Sequence, residues 1–429
     1  MRLTIHRGTH EIGGSCIELS SDSTGARLIL DLGMPLVQSD GTQFEWSEHK
    51  GKNIQELIDS GILPSIEGLY KPSKSPVSAV LLSHAHQDHY GFLQFVKPDI
   101  PIYMSAGTKS LVEASNLFVE ANINVDNIKT FRMWRPFKVR SFTITPYLMD
   151  HSAPDAAAFL IEADRKRIFY TGDFRGHGRK KILFEKLKKQ PPENIDYLIM
   201  EGSMIGREEG LYPDETSVEE ALVRQMCANK RICFIFTSSQ NLDRIISIFR
   251  AAKRSGRILV IDLYTAFVLE KLSGLSPNIP QFNWESVRVF FLYHHAQRLA
   301  ELDEQILYRY AKRRIKPKEI YVEPENKVIL SKDNRYYRSL ITKCGEVIAI
   351  YSMWHGYLER GTLPEFLTKC GLELLEIHTS GHAILQHLKD ITEAINPKFI
   401  IPIHTFHPER FNEMFTNVLL VKDGQELVL

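Results

Sequence analysis

Short runs in which apolar and polar residues alternate dominate the first half of the chain. Alternation at residues 3–7 and 142–145, and short apolar runs bounded by turns elsewhere, predict β-strands at residues 3–7, 16–19, 27–30, 77–82, 101–104 and 142–145, and a hairpin formed by residues 157–162 and 167–170 about Asp164-Arg165-Lys166. Apolar residues spaced by three and four positions predict helices at residues 54–59 and 106–119. The amino-terminal part of the chain is therefore predicted to be a strand-rich α/β unit.

A different pattern follows in the middle of the chain. The capping-box order Thr216-Ser217-Val218-Glu219 starts an apolar helix, and strand 232–236, helix 242–255 and strand 258–262 come after it. Strand, helix and strand in this order predict a parallel βαβ unit. Its first loop carries Ser238, Ser239 and Asn241, with Arg244 one turn into the helix, and such a loop either holds a backbone phosphate or simply caps the helix.

Polar residues that could bind a ligand stand directly after many of the apolar runs. The set comprises Asp31, His84, Asp173, Glu201 and His404. In layered α/β proteins ligands gather where strand ends open onto loops, so these positions predict one shared site. Taken singly, each has an ordinary structural explanation, as a turn carboxylate, a capping acid or a core imidazole. Repetition of the pattern at five strand ends favours the shared site.

The densest of these groups is the segment Ser83-His84-Ala85-His86-Gln87-Asp88-His89. Three imidazoles and one carboxylate are ligands that a divalent ion such as zinc or manganese takes in proteins. A tight turn after a strand lets His84 and His86 point one way while Asp88 and His89 point another. Two metal ions are therefore predicted rather than a polar loop with clustered histidines.

Composition narrows the class of protein. The chain has 429 residues, of which 43% are hydrophobic and 24% charged, which is typical of a globular protein with two domains. We find neither an apolar stretch of roughly 20 residues nor a signal peptide, so we expect a cytoplasmic protein without membrane attachment. The five cysteines contain no Cys-x-x-Cys pair and are expected to be reduced. The net charge is +1, but basic residues cluster at 175–189 and 312–318, as solvated helix faces or as phosphate-binding patches.

The motifs resemble a known family. His84-Ala85-His86-Gln87-Asp88-His89, with Asp31 before it and His151 and Asp173 after it, is similar to the motif series of the metallo-β-lactamase fold. Ile377-His378-Thr379-Ser380-Gly381-His382-Ala383, followed by Ile401-Pro402-Ile403-His404, resembles the β-CASP nuclease branch, and ribonuclease J most closely. The resemblance implies an α/β fold, an αββα sandwich with an inserted β-CASP cap domain.

Site residues follow from the resemblance position by position. It implies that His84, His86 and His151 hold one metal ion, that Asp88, His89 and His404 hold a second, and that Asp173 bridges them. Asp31 and Glu201 would orient ligand histidines, and His382 would contact a phosphate oxygen or protonate the leaving oxygen. Two ions, zinc first and manganese second, can activate water and stabilise an in-line phosphodiester displacement. The residues implied in catalysis are thus Asp31, Asp88, Glu201 and His382.

Domain limits and substrate contacts follow in the same way. We predict a metallo-β-lactamase domain at 1–203, a cap at 204–373 and completion of the first domain at 374–429. Ser238, Ser239, Asn241, Arg244, Ser352 and His382 are the predicted substrate-binding residues. The segment Tyr351-Ser352-Met353-Trp354-His355-Gly356 departs from the serine-rich loop of ribonuclease J, although Tyr351, Trp354 and Tyr357 could stack on bases or pack in the core. The family's carboxyl-terminal domain is not expected, so the protein is a monomer or a dimer.

Three functions are compatible with these features. The first is a two-metal ribonuclease that cleaves single-stranded RNA from an end or internally. The second is a deoxyribonuclease of the same fold, against which His404 weighs because that branch tends to have valine there. The third is a non-catalytic nucleic-acid-binding subunit, which the complete ligand set disfavours.

Overall fold

The computed structural model describes residues 1–38 and 42–429. Its strands are β1 (Arg2–Arg7), β2 (Cys16–Ser20), β3 (Arg27–Leu30), β4 (Ala79–Leu81), β5 (Ile102–Met104), β6 (Ile128–Thr130), β7 (Phe137–Val139), β8 (Phe142–Leu148), β9 (Ala157–Ala163), β10 (Lys166–Tyr170), β11 (Tyr197–Glu201), β12 (Ile232–Phe236), β13 (Ile258–Asp262), β14 (Val287–Phe290), β15 (Arg314–Ile315), β16 (Lys327–Ser331), β17 (Val347–Tyr351), β18 (Leu374–Glu376), β19 (Phe399–Ile403) and β20 (Glu426–Val428).

The α-helices are α1 (Ile54–Asp59), α2 (Gln87–Tyr90), α3 (Ala106–Val119), α4 (Lys181–Lys189), α5 (Glu215–Ala228), α6 (Leu242–Arg254), α7 (Leu263–Lys271), α8 (Tyr293–Leu302), α9 (Glu304–Ala311), α10 (Pro317–Ile320), α11 (Arg335–Cys344), α12 (His355–Glu359), α13 (Leu363–Lys369) and α14 (Leu385–Ile395). No helix in the described ranges is long and apolar enough to cross a bilayer.

Two sheets pack face to face and form the two central layers of a sandwich. One has the order β20-β1-β2-β3-β4-β5-β6 and the other β19-β11-β10-β9-β8-β7. Their inner faces share one apolar core, to which Leu3 and Leu28 contribute from the first sheet and Phe159 and Ile199 from the second. Alternation of buried and exposed residues along β1 and β8 produces this arrangement, because successive side chains of a strand point to opposite faces.

Helices cover the outer faces of both sheets. Leu57 of α1 and Leu111 of α3 pack with Val80 against the outside of the first sheet. On the second sheet, α4 and α14 pack against the outer side chains of β10, β11 and β19. The layers are therefore helix, sheet, sheet and helix, which confirms the predicted αββα sandwich.

The third sheet is all parallel, with the order β15-β14-β13-β16-β12-β17-β18. Its central strands are apolar without alternation, as expected for strands covered by helices on both faces. Strands β12 and β13 of the predicted βαβ unit run parallel, as predicted. They are not neighbours, because β16, which comes later in the chain, lies between them. β18 pairs with β17, so the sheet reaches past residue 373. We propose that this sheet and its helices form the cap.

Most element limits agree with the sequence predictions. Helices α1 and α3 have the predicted bounds, and the hairpin turn places Asp164 and Arg165 at positive φ, as a tight two-residue turn requires. The start of α5 was predicted wrongly. Its N-cap is Asp214, whose side chain accepts from the Ser217 N–H, so the capping box begins two residues before Thr216.

The sandwich and the third sheet meet along the carboxyl ends of several strands. The N–H of Leu242, at the start of α6, donates to the Ser152 carbonyl in the loop after β8. Apolar contacts between α3 and α7 continue the core from the sandwich into the third sheet's helices. The loops that carry the predicted site residues lie at this junction.

Candidate metal centre

The histidine segment forms a turn between β4 and the short helix α2. His86 is the N-cap of α2, so His84 lies before the helix while Asp88 and His89 lie within it. The backbone of residues 31–33 supports the turn, because the Leu32 N–H donates to the His89 carbonyl at 2.8 Å. Asp31 and His404 both have positive φ, 57° and 55°, a conformation that costs non-glycine residues about 1–3 kcal/mol and concentrates at functional sites.

The structure brings all seven predicted metal ligands together in two groups. His84, His86, His151 and Asp173 form one group, and Asp88, His89, Asp173 and His404 form the other. In the first group, the Nδ1 atom of His86 lies 3.1 Å from Nε2 of His84 and 3.2 Å from Nε2 of His151. Ligand atoms around a tetrahedral zinc ion are separated by roughly the same distance.

Asp173 belongs to both groups. Its Oδ2 atom lies 3.1 Å from His89 Nε2, 3.6 Å from His84 Nε2 and 3.7 Å from His404 Nε2. The Asp88 carboxylate closes the second group, 3.5 Å from His404 Nε2. One carboxylate that faces both groups is the arrangement expected of a bridging ligand.

The residues present fit two divalent cations. Within the described ranges, His89 Nε2, His404 Nε2 and both carboxylate oxygens of Asp173 are buried and have no hydrogen-bond partner. Leaving such atoms unsatisfied is unfavourable unless a ligand binds them. Burial lowers the pKa of His84, His151 and His404, and brings that of His86 to about 4, so these imidazoles are neutral and offer lone pairs.

Hydrogen bonds from outside the groups fix the ligand rings. Asp31 accepts from Nδ1 of His89 at 2.9 Å and from the Tyr170 hydroxyl at 2.6 Å, as its predicted orienting role requires. Nδ1 of His151 donates to the Gly381 carbonyl at 2.8 Å, which leaves Nε2 unprotonated. Ser15 Oγ lies 2.9 Å from Nδ1 of His404. Such partners set the ring angle and tautomer of a ligand histidine.

Glu201 differs from its prediction. Its carboxylate lies 3.1 Å from Nδ1 of His382, which is outside both ligand groups, and it also accepts from the Phe174 N–H at 2.9 Å. It therefore orients His382 and the loop after Asp173 rather than a ligand histidine. Burial lowers the pKa of His382, but the negative charges of Glu201 and Asp173 outweigh this effect and raise it to about 9.

The predicted substrate-binding residues are only partly accessible. Ser238 is exposed, whereas Ser239 is buried and its hydroxyl bonds to that of Thr265. Asn241 caps α6 by accepting from the Arg244 N–H, which is the ordinary capping interpretation. Arg244 and Ser352 are fully buried and bond to each other at 2.6 Å. The polar atoms of this buried pair bond to protein groups, so phosphate contact by Arg244 or Ser352 stays a prediction that would require these bonds to open.

The sequence analysis also missed a network of buried charged residues between the sandwich and the helices of the third sheet. Arg175 is buried in the loop after Asp173, where it donates to Asp243 at 2.6 Å and to the Ser380 carbonyl at 2.8 Å. Lys180 also donates to Asp243, at 2.7 Å. Part of the basic run at 175–189 therefore pairs with acids inside the protein instead of facing a phosphate. Asp243 lies far from Arg175 and Lys180 in the sequence. No local sequence pattern therefore indicates that these residues pair.

Gly33 carries one prediction about this site. A Cβ atom there would lie 1.7 Å from the Asp88 carbonyl oxygen, so Gly33→Ala must displace the turn that holds the ligands. We expect a loss of about 1–3 kcal/mol in the free energy of unfolding and a lower metal content, measured by urea unfolding and elemental analysis. Gly274→Ala, where the new atom meets open space, is the control and should change neither. Full metal content in the Gly33 variant would contradict the prediction.

Comparisons with known proteins agree with this geometry. Residues 64–224 match the model of the beta-lactamase superfamily domain. The chain is 24% identical over 355 residues to ribonuclease J of Sinorhizobium meliloti, covering 80% of this chain and 60% of that protein. It is 22% identical over 432 residues to ribonuclease J of Mycobacterium tuberculosis, covering 94% and 68%. The chain thus spans about 60% of the length of the first of these relatives.

A solved structure shares the whole fold. It is the crystal structure of a protein of unknown function from Enterococcus faecalis V583, with a TM-score of 0.80 and 23% identity. The match covers 100% of this chain and 99% of that one. The arrangement of sandwich and third sheet is therefore shared with an experimentally determined protein.

Proposed function

We propose that the chain, which is similar to ribonuclease J and matches the beta-lactamase superfamily domain at residues 64–224, is a metal-dependent ribonuclease that hydrolyses phosphodiester bonds of single-stranded RNA. The observation that carries the proposal is the pair of ligand groups that share Asp173, with His382 beside them. The Sinorhizobium meliloti and Mycobacterium tuberculosis relatives named ribonuclease J support the choice of RNA.

His84, His86 and His151 would hold one ion, Asp88, His89 and His404 the other, and Asp173 both. Two bound divalent ions, zinc or manganese, supply a nucleophile at neutral pH and stabilise charge on the attacking and leaving oxygens. The protein's own residues keep this geometry. Asp31 and Ser15 hold His89 and His404 by their Nδ1 atoms, so that each Nε2 points into the pocket.

His382 is placed to act on the substrate itself. Its side chain is 23% exposed, while its Nδ1 faces Glu201, whose negative charge stabilises the protonated ring. A protonated imidazole at this position donates a hydrogen bond to a phosphate oxygen, or a proton to the leaving oxygen.

His382→Ala is therefore expected to slow cleavage about 10²- to 10⁴-fold while both metal ions remain bound. The change removes the donor to the phosphate but none of the proposed ligands. Single-turnover kinetics and elemental analysis of the same preparation measure the two effects. His387→Ala is a suitable control, because His387 is also partly buried near this loop but stacks on His177 away from the ligand groups. Loss of metal from the His382 variant would show that its role has been misassigned.

The proposed function itself is tested with end-labelled nucleic acids. We expect the protein, supplied with zinc or manganese, to cleave single-stranded RNA and to be inactive after chelation of the metal. Stepwise loss of mononucleotides would identify an exonuclease, and discrete internal fragments an endonuclease. Cleavage of DNA but not RNA would replace the proposal by the deoxyribonuclease alternative. Binding without cleavage of either would favour a non-catalytic subunit.

A further inference from the structure

Aromatic rings and guanidinium groups gather beside the metal-ligand groups. This rim cluster comprises Arg207, Trp354, Tyr357, Arg360 and Phe406. The guanidinium carbon of Arg207 lies 4.7 Å from the centre of the Trp354 ring and 5.9 Å from that of Phe406. Arg360 lies 5.9 Å from the Trp354 ring, and Tyr357 meets that ring edge-on at 5.2 Å. Arg207 and Phe406 follow strands of the sandwich, whereas Trp354, Tyr357 and Arg360 follow β17 of the third sheet.

The rim cluster lies next to the ligand groups. Phe406 comes two residues after His404, and Arg207 lies in the loop that follows β11 and Glu201. Burial and the negative charge of Asp88 raise the pKa of Tyr357, while Arg207 and Arg360 oppose this shift. The rim cluster is therefore close enough to the ligand groups to contact a strand bound there.

Arg207 forms no direct ion pair within the described part of the chain. It is half-buried and packs on rings; burial and the nearby Arg360 lower its pKa, while Tyr357 and the more distant negative charge of Glu201 raise it. The fully buried arginines Arg175 and Arg244 are by contrast both paired with carboxylates. Partial burial of an unpaired cation is unfavourable, and an anion from outside would compensate for it. A backbone phosphate is such an anion.

The aromatic members present ring surface to solvent. Trp354, Phe406 and Tyr357 are 37%, 39% and 46% exposed. The Trp354 ring is held in place by Gly356, where a Cβ atom would lie 2.3 Å from the ring. A base gains stacking energy on such rings whatever its sequence. Exposed rings beside an unpaired guanidinium match the two parts of a nucleotide.

We propose that the rim cluster binds one nucleotide of the single-stranded substrate beside the cleaved bond. Arg207 takes a backbone phosphate that is not itself cleaved, and Trp354, with Tyr357, stacks on the base. This inference rests on the proposed function, because it takes a nucleic acid as the substrate. It assigns these residues to binding, so the chemistry at the metal ions does not depend on them.

The test is direct binding of a fluorescein-labelled oligouridylate, followed by anisotropy in the presence of chelator so that no cleavage occurs. Trp354→Ala should weaken binding about tenfold. The same variant should bind an oligomer with abasic sites as tightly as the wild type does, because there is no base to stack. Trp134→Ala is the matched control, since Trp134 is 40% exposed and lies under Lys186 at 4.0 Å, but is outside the rim.

Arg207→Gln should weaken the binding of both oligomers about tenfold and reduce the salt dependence of log Kd by about 0.7, the contribution of one phosphate contact in a single strand. Arg231→Gln is its control, because Arg231 is 51% exposed, lies outside both basic runs and precedes β12, at the end of that strand opposite the junction with the sandwich. Its affinity should stay within about twofold of the wild type.

Two results would overturn the inference. One is unchanged affinity for the oligomer in both Trp354→Ala and Arg207→Gln. The other is an equal loss of affinity for intact and abasic oligomers in Trp354→Ala, which would indicate that Trp354 packs the sandwich against the third sheet instead of stacking on a base. The proposed function fails separately, if the wild-type protein cleaves no RNA with either metal. A protein that binds oligouridylate through the rim but cleaves nothing would support the inference and refute the ribonuclease.

Discussion

Asp173→Asn is expected to lower the rate of RNA cleavage by about 10³-fold or more and to reduce the bound metal. The Asp173 carboxylate faces both ligand groups, with its Oδ2 atom 3.1 Å from His89 and 3.6 Å from His84. Asparagine keeps the volume but removes the charge that two cations share. Stabilisation by metal ions is worth several kcal/mol, and each 1.4 kcal/mol is a factor of ten in rate. Elemental analysis and single-turnover cleavage measure the two effects.

The control for this prediction is another buried aspartate of the same sheet. Asp196 precedes β11, accepts from the Arg167 N–H at 2.9 Å and from Lys398 at 2.7 Å, and is outside the ligand groups. Asp196→Asn should therefore keep its metal and its activity, even if it unfolds more easily. Full metal content and wild-type rate in the Asp173 variant would mean that this carboxylate bridges nothing.

Local sequence patterns predicted the strands and helices of the sandwich and the polar residues at strand ends, whereas the αββα arrangement and the two ligand sets came from the family resemblance. The turn from His84 to His89 follows an apolar strand, and the hydrophobic periods of α1 and α3 gave their limits. Strand ends gather at one side of layered folds, so the distant His404 could be placed near the same turn, whereas the resemblance alone placed His151 there.

Pairings over long sequence distances could not be predicted in the same way. Ser15 meets His404 across 389 positions, and Tyr170 meets Asp31 across 139, yet neither residue stands in a distinctive motif. The insertion of β16 between β12 and β13 likewise depends on how the chain returns to the sheet. Composition suggests that an arginine faces solvent, and only the fold shows whether acids surround it.

Arg244 is an arginine that the fold buries among partners, and its replacement is expected to have the largest effect on stability. Arg244→Met is expected to lower the free energy of unfolding by about 3–5 kcal/mol, and the melting temperature by roughly 10 °C. The guanidinium is fully buried and pairs with Glu215 at 3.0 Å, while it also donates to the Thr379 carbonyl. Its loss leaves the Glu215 carboxylate in the protein interior with less compensating charge. Thermal and urea unfolding measure the change.

The same pair predicts a dependence on pH. Burial alone would raise the pKa of Glu215, but Arg244 and Arg175 hold it well below its usual value. A carboxylate with a lowered pKa stabilises the folded state above its unfolded pKa of about 4.3, and this contribution disappears as the pH falls through the folded value. Without Arg244 the folded pKa rises, so the variant should lose stability at less acidic pH than the wild type does.

Two further variants separate charge pairing from simple packing. Arg254→Met, on the same helix α6, removes an arginine that is 43% exposed and paired with Glu220 and Glu219. Glu219 keeps Arg179 and Arg250 as partners, so this change should destabilise the fold far less than Arg244→Met. Glu215→Gln added to Arg244→Met removes the buried charge that has lost one of its two arginine partners, so the double variant should be more stable than Arg244→Met alone. If the double variant is less stable by the sum of both single changes, Arg244 stabilises the junction through packing and hydrogen bonds, and the charge of Glu215 is irrelevant.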